Sequence, residues 1–129
     1  MLARYSMVRG QKASDFSKRL REGTRVDTRK HTRHFLRPDA ARVESYLRAP
    51  DAAAWGEFER AYLARLEGRF AEDREPFDAL ARAAREGDVF IGCSCPTRTN
   101  PDVNRCHTVL ALRFMKRKYR TLEVTLPPR

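Results

Sequence analysis

Residues 88–95, DVFIGCSC, decide the fold of this 129-residue chain more than any other stretch. They form a continuous β-favouring run, bounded by Gly87 before it and by Pro96 after it. A short run that is apolar on both faces is typical of a strand that lies inside a sheet, with helices covering both faces. We therefore predict a buried strand here and build the rest of the layout around it.

Helical patterns flank this strand on both sides. In residues 51–70, an apolar stripe follows the 3.6-residue helical period and consists of Trp55, Phe58, Tyr62 and Leu66. We predict that Asp51 caps this helix and that Gly68 ends it. Residues 74–87 repeat the pattern up to Gly87, and residues 106–119 form a further helix after the strand.

Weaker patterns complete the predicted layout. Residues 2–9, 24–31 and 121–128 favour strands, whereas residues 13–23 and 37–48 favour helices, the second with Pro38 in its first turn. Strands that alternate with helices indicate an α/β fold. We predict one domain over residues 1–129, with a mainly parallel sheet of about four strands flanked by helices.

The composition limits the cellular setting and the class of protein. No apolar run approaches the roughly 20 residues that a membrane span needs, so we expect no membrane partner. The chain has three cysteines, an odd number, and two of them are separated by one residue. This spacing does not resemble a disulfide framework, so a reducing cytoplasm is the expected location.

The charge is strongly positive and unevenly distributed. The formal net charge is +10, and Lys and Arg outnumber Asp and Glu in residues 1–48 and 89–129 but not in residues 49–88. If the two basic ends meet in space, they form a surface that attracts polyanions such as nucleic acid. A stripe near the carboxyl end would contribute to it, formed by Lys116, Arg117, Lys118 and Arg120.

One strand–loop–helix unit holds every cysteine of the chain. Cys95 lies at the end of the predicted strand, with Cys93 inside it, and Cys106 and His107 open the next helix. In α/β proteins, ligands bind beyond the carboxyl ends of the strands, where helix N-termini present free N–H groups. Both ends of this motif are therefore expected at one crevice.

Four explanations of this motif remain open. Cys93, Cys95, Cys106 and His107 are soft ligands suited to zinc, as a structural metal. Alternatively, Cys106 at a helix start is a reactive thiolate, with His107 as acid or base. A third explanation is an anion or phosphate pocket of Arg98, Arg105 and His107. The fourth is burial as small apolar residues, which we favour for Cys93.

Three segments together resemble a known family. They are WGEFERAYLARLEGRF, then FDALARAAREGDVFIGCSC, and then RCHTVLALRF. A Trp-x-x-Phe-x-x-x-Tyr helix, a strand that ends at a cysteine and a Cys-His helix start resemble the uncharacterised family called domain of unknown function 488. The resemblance covers roughly residues 26–115. The sequence departs from that pattern at Thr108, where an arginine is usual, and at Cys95, where an acidic residue is usual.

The resemblance implies an α/β fold and a shared crevice. Family members carry an Asp-x-Arg step at the end of an earlier strand, and Asp27 and Arg29 match it. The resemblance thus implies that Asp27 and Arg29 face the cysteines and the Cys-His step. It implies no reaction.

We therefore expect an enzyme-like domain that binds a phosphate-bearing ligand, either a nucleotide or a nucleic acid. The predicted catalytic residues are Asp27, Cys106 and His107, and the predicted ligand-binding residues are Arg29, Arg98 and Arg105. Two alternatives stand beside it: a non-catalytic nucleic-acid-binding module that uses the basic ends, and a structural zinc protein.

Overall fold

Three parallel strands form the sheet in the computed structural model, which describes residues 1–7 and 23–129. The strands are β1 (Leu2–Ser6), β2 (Thr24–Asp27) and β3 (Val89–Cys93). Their order across the sheet is β1-β3-β2, and β3 pairs in parallel with both neighbours. The prediction of an interior strand in residues 88–95 is confirmed.

The two faces of β3 bury different sets of side chains. Val89 and Ile91 join the main core on the face that the helices cover. Phe90 points to the opposite face and packs with Ala3 and Tyr5 of β1. Burial on both faces explains the continuous apolar run, because neither set of alternating side chains contacts water.

The described part of the chain also contains four helices, three between β2 and β3 and one after β3. They are α1 (Ala40–Arg48), α2 (Ala52–Glu72), α3 (Glu75–Glu86) and α4 (His107–Lys118). The Asp51 side chain caps α2, as predicted, by accepting a hydrogen bond from the backbone N–H of Ala54. Together with the parallel sheet, these helices make the protein an α/β fold.

Two predicted helix boundaries are wrong. Pro38 precedes the N-cap of α1, because Asp39 caps that helix by accepting a hydrogen bond from the backbone N–H of Ala41. Gly68 does not end α2, which continues to Glu72. The extra turn carries Phe70, whose packing against the core offsets the roughly 1 kcal/mol that a helical glycine costs.

The predicted fourth strand is reduced to a single bridge between Leu2 and Val124, among the residues described. The backbone N–H of Leu2 donates to the carbonyl of Glu123, and the backbone N–H of Thr125 donates to the carbonyl of Leu2. Pairing stops there because Leu126 is 40% exposed and two prolines without N–H groups follow. The sheet therefore has three strands rather than about four.

Two further predictions bear on the extent of the fold. The predicted helix in residues 13–23 lies almost entirely outside the described residues. None of the helices in residues 23–129 is both long and apolar enough to cross a lipid bilayer.

The carboxyl ends of the three parallel strands lie along one edge of the sheet. Ser6 pairs in register with Cys93, and Asp27 pairs with Gly92. The N-terminus of α4 reaches the same edge, because His107 contacts Thr28 directly after β2. This edge is where the candidate site is assembled.

Candidate metal centre

The sulfur atoms of all three cysteines converge at this edge. The three Sγ atoms lie within 4.8 Å of one another. Cys93 is the last residue of β3, Cys95 follows it by two positions, and Cys106 is the N-cap of α4. All three are free cysteines, and Cys106 is buried, with 3% of its surface exposed. Two parts of the chain thus supply one sulfur cluster.

Asn100 holds the loop between β3 and α4 against the cluster. Its Nδ2 donates to the carbonyl of Arg105 at 2.7 Å and to Cys95 Sγ at 3.3 Å. The hydroxyl of Tyr46, from α1, donates to Asn100 Oδ1 at 3.2 Å. Because Asn100 is only 5% exposed, these bonds replace water for a buried amide and fix the position of Cys95.

Arg4 connects β1 to both sides of the cluster. Its Nε donates to Thr108 Oγ1 at 2.9 Å, and Thr108 Oγ1 donates in turn to Cys106 Sγ at 3.1 Å. Its Nη2 donates to the carbonyl of Cys95 at 2.6 Å, and its Nη1 donates to Ser6 Oγ at 3.2 Å. One guanidinium therefore sets the relative position of Cys95 and Cys106.

The three thiols share their protons unequally. Hydrogen bonds from Cys93 and then Cys95 lower the pKa of Cys106 well below its usual range, with a smaller contribution from Thr108 and with burial opposing the shift. The hydrogen bond to Cys106 raises the pKa of both Cys93 and Cys95. The hydrogen bonds within the cluster therefore favour negative charge at Cys106 over Cys93 and Cys95.

His107 lies beside the cluster and is held by Thr28. The Thr28 hydroxyl donates to the carbonyl of Gly92 at 3.0 Å, so it accepts from His107 Nε2, also at 3.0 Å. His107 Nδ1 is then the unprotonated nitrogen, 3.9 Å from Cys106 Sγ. Burial lowers the pKa of His107 to about 4, so the ring is neutral near pH 7. Among the described residues, the potential metal-ligand atoms that lie within 4.8 Å of one another belong to the three cysteines and do not include a nitrogen of His107.

Asp27 and Arg29 form a bidentate ion pair at the end of β2. Arg29 Nη2 donates to Asp27 Oδ2 at 2.8 Å, and Arg29 Nε donates to Oδ1 at 3.0 Å. Burial alone would raise the pKa of Asp27, but the hydrogen bonds from Arg29 outweigh burial and lower it. Asp27 is therefore an ionised partner of Arg29, with both oxygens engaged.

An open cavity of about 290 Å³ adjoins the cluster. Cys93 and Cys95 form part of its wall. Polar groups of the loop after β2 form another part, and these are Arg29, Lys30 and His31. Apolar side chains before and within α1 form a third part, and these are Pro38, Val43 and Leu47. A small ligand in this cavity would lie next to two of the sulfur atoms.

The structure brings together most of the residues that the sequence singled out. Arg29, Cys93, Cys95 and His107 line this cavity, and Cys106 lines a smaller adjoining one of about 60 Å³ together with Arg105. Arg98 is exposed and lines neither of these two cavities. The catalytic roles expected for Asp27, Cys106 and His107 stay predictions.

Sequence reasoning missed the residues that support the cluster from a distance. Arg4, Thr28 and Asn100 belong to three separate segments, and no local motif marks them. Lys30 and His31 follow Arg29 directly, so the Asp-x-Arg step did indicate the right loop for the cavity.

Comparisons of the chain with models of known protein families, with curated proteins and with solved structures found no match. The resemblance to the family called domain of unknown function 488 therefore stays a prediction. The same holds for nucleic-acid binding by the basic ends and for a cytoplasmic location.

The three cysteines fit a tetrahedral zinc ion with modest adjustment. A Zn–S bond of about 2.3 Å places tetrahedral sulfur ligands about 3.8 Å apart. The Sγ atoms, which lie within 4.8 Å of one another, would approach by up to about 1 Å, within reach of side-chain rotation. Thiolates are also the ligands that select zinc over magnesium or calcium.

Proposed function

We propose that this protein binds a Zn²⁺ ion through Cys93, Cys95 and Cys106 and presents the ion to the adjoining cavity. One observation supports the proposal above all others: three free sulfur atoms converge within 4.8 Å at the ligand-binding edge of a parallel sheet. A chance cluster of apolar cysteines would need no such support from Arg4, Asn100 and Thr108.

The supporting bonds are of the kind that metal sites use. Residues around a metal fix the orientation of its ligands by hydrogen bonds, and their loss weakens metal binding. Here Thr108 donates to Cys106 Sγ, and Asn100 donates to Cys95 Sγ. N–H and O–H donors to sulfur also stabilise the thiolates that zinc requires.

The ligand count favours a centre with an open coordination position. Structural zinc sites have four protein ligands, whereas catalytic sites have three and leave the fourth position to water or substrate. The described residues supply three close ligand atoms and no fourth from His, Cys, Asp or Glu. An ion at such a centre polarises the water or anion that occupies its open position.

The direct test is the metal content of untagged protein purified without chelators. We expect about one zinc per chain. We also expect Cys93→Ser, Cys95→Ser and Cys106→Ser each to weaken zinc binding roughly 100-fold, since a structural site's 10–16 kcal/mol is shared among about four ligands. Ser94→Ala is the matched control, because Ser94 lies between two ligands and supplies none.

Cobalt provides a second readout that is independent of affinity. Co²⁺ in the same site gives thiolate charge-transfer absorption, whose intensity should fall by about one third in each cysteine variant. A protein that contains no metal, retains no added Zn²⁺ or Co²⁺ and shows three freely titrating thiols would contradict the proposal.

A further inference from the structure

The cavity beside the cysteines is lined by basic side chains and by neutral ones, without an acidic side chain among the described residues. Arg29, Lys30 and His31 line it, and no Asp or Glu of the described residues does. Two carboxylates pair with these groups without lining the cavity: Asp27 pairs with Arg29, and Glu44 pairs with Lys30. A ligand inside the cavity therefore meets the donors rather than the carboxylates.

The side chains of Arg29 and Lys30 can donate hydrogen bonds to a further partner in addition to the carboxylates that they already contact. Arg29 uses Nε and Nη2 for Asp27, and its Nη1 has no hydrogen-bond partner among residues 1–7 and 23–129. Lys30 and Glu44 form a 3.1 Å pair in which Glu44 is 53% exposed. Such a surface pair contributes little stability, so an anion can draw Lys30 toward the cavity at small cost.

Another part of the cavity lining is apolar. Val43 and Leu47 lie on the same side of α1, four residues apart, and Pro38 lies just before that helix. A volume of about 290 Å³ holds roughly ten non-hydrogen atoms if each takes about as much space as a water molecule, roughly 30 Å³. The cavity therefore suits a small molecule with an apolar body and one charged end.

We propose that this cavity binds a small organic anion whose phosphate or carboxylate head lies between the Arg29, Lys30 and His31 side chains and the cysteine cluster. Its apolar body lies against Val43 and Leu47. The head reaches the open coordination position of the metal, and in this respect the inference rests on the proposed zinc site. The contacts with the basic loop and α1 do not require the metal.

Four probes separate the parts of this inference. Phenylphosphonate and benzoate carry the two head groups on the same apolar ring, benzyl alcohol keeps the ring without the charge, and inorganic phosphate keeps the head without the ring. Binding to zinc-loaded and to metal-free protein is measured by calorimetry. We expect one of the two aromatic anions to bind at least about tenfold more tightly than benzyl alcohol or inorganic phosphate. The stronger of the two identifies the head group.

Variants assign the binding to this cavity. Lys30→Gln combined with His31→Gln replaces two basic side chains by neutral amides at half-buried and exposed positions, so the fold should be kept. We expect a loss of anion affinity of about tenfold or more. Arg98→Gln is the matched control, because it removes a cation from the same region that does not line the cavity. Equal losses in the double variant and in Arg98→Gln would overturn the assignment, since they would indicate general charge attraction.

The test separates failure of this inference from failure of the zinc site. If zinc binds but no aromatic anion binds better than benzyl alcohol, the anion site is wrong and the metal site stands. If no zinc binds, yet the anion binds metal-free protein and the double variant loses it, the cavity assignment stands and the metal site is wrong. If both stand, the anion should change the absorption spectrum of the cobalt protein. An unchanged spectrum would overturn the contact between the head group and the metal.

Discussion

Replacing Arg4 by lysine tests whether the cysteine cluster is built for a metal or merely packed. Arg4 donates to the carbonyl of Cys95 and, through Thr108, acts on Cys106. Lysine keeps the charge but lacks the planar fork of donors, so it cannot hold these partners in one fixed geometry. The separation of the two sulfur atoms then becomes variable, and zinc binding must restrict it.

The expected magnitude follows from the number of ligands affected. Loss of a group that orients a metal ligand weakens binding by about 10–100-fold, which corresponds to about 1.4–2.7 kcal/mol. Arg4 supports two of the three ligands, so we expect the upper part of that range. The assay is competition for zinc with a chromophoric chelator, with Arg117→Lys on the exposed side of α4 as the control.

A second measurement separates metal positioning from general stability. Urea unfolding of the metal-free protein reports how much Arg4 contributes to the fold itself. If Arg4→Lys lowers the free energy of unfolding but leaves the zinc dissociation constant unchanged, Arg4 only supports the fold, and the reasoning is refuted.

Two further predictions concern stability. Gly92→Ala should lower the free energy of unfolding by about 1–3 kcal/mol, because a Cβ at this position would overlap the Tyr5 ring. Gly68→Ala should raise the free energy of unfolding by about 1 kcal/mol, because open space surrounds this helical position. Equal urea midpoints for the two variants would contradict both expectations. Burial lowers the pKa of His34 to about 4, and His34 Nδ1 accepts a hydrogen bond from the backbone N–H of Leu36. As the pH drops from about 6.5 to about 4, His34 therefore binds a proton in the unfolded state before it does so in the folded state, and the free energy of unfolding should fall. His34→Asn keeps an acceptor without titrating and should reduce that fall in thermal melts, while His107, whose pKa burial also lowers to about 4, continues to contribute. A pH profile identical to that of the native protein would count against the role of His34.

The sequence predicted the centre of the fold better than its edges. Residues 88–95 and the stripe of α2 carry strong local signals, because burial on both faces or on one helical face leaves a periodic pattern. In the carboxyl-terminal segment, residues 121–128, apolar and polar side chains alternate as in a half-buried strand. Among these apolar side chains, only Leu122 is buried and Val124 is partly buried. Whether a sheet edge continues depends on what covers it, and no local pattern records that.

The candidate site divides in the same way. Cys95, Cys106 and His107 were expected at one crevice, because a strand end and the next helix start are adjacent in an α/β unit, whereas simple burial was favoured for Cys93. Arg4 and Asn100 could not be assigned, since their roles depend on contacts that only the folded chain creates. Cys95 belongs to the cluster and Thr108 donates to Cys106 Sγ, and these are the two named positions at which the sequence departs from the pattern that it resembles.

The strand order has a consequence for how the protein is made. β1 and β2 are synthesised before β3, but in the described sheet each is bonded along its length only to β3, which comes more than sixty residues later. The sheet of described strands cannot form until residues 89–93 have left the ribosome, and Cys106 follows later still. The backbone groups of β1 and β2 that pair with β3 stay bound to water until then, which makes slow synthesis through residues 40–90 a period of exposure to chaperones and to aggregation.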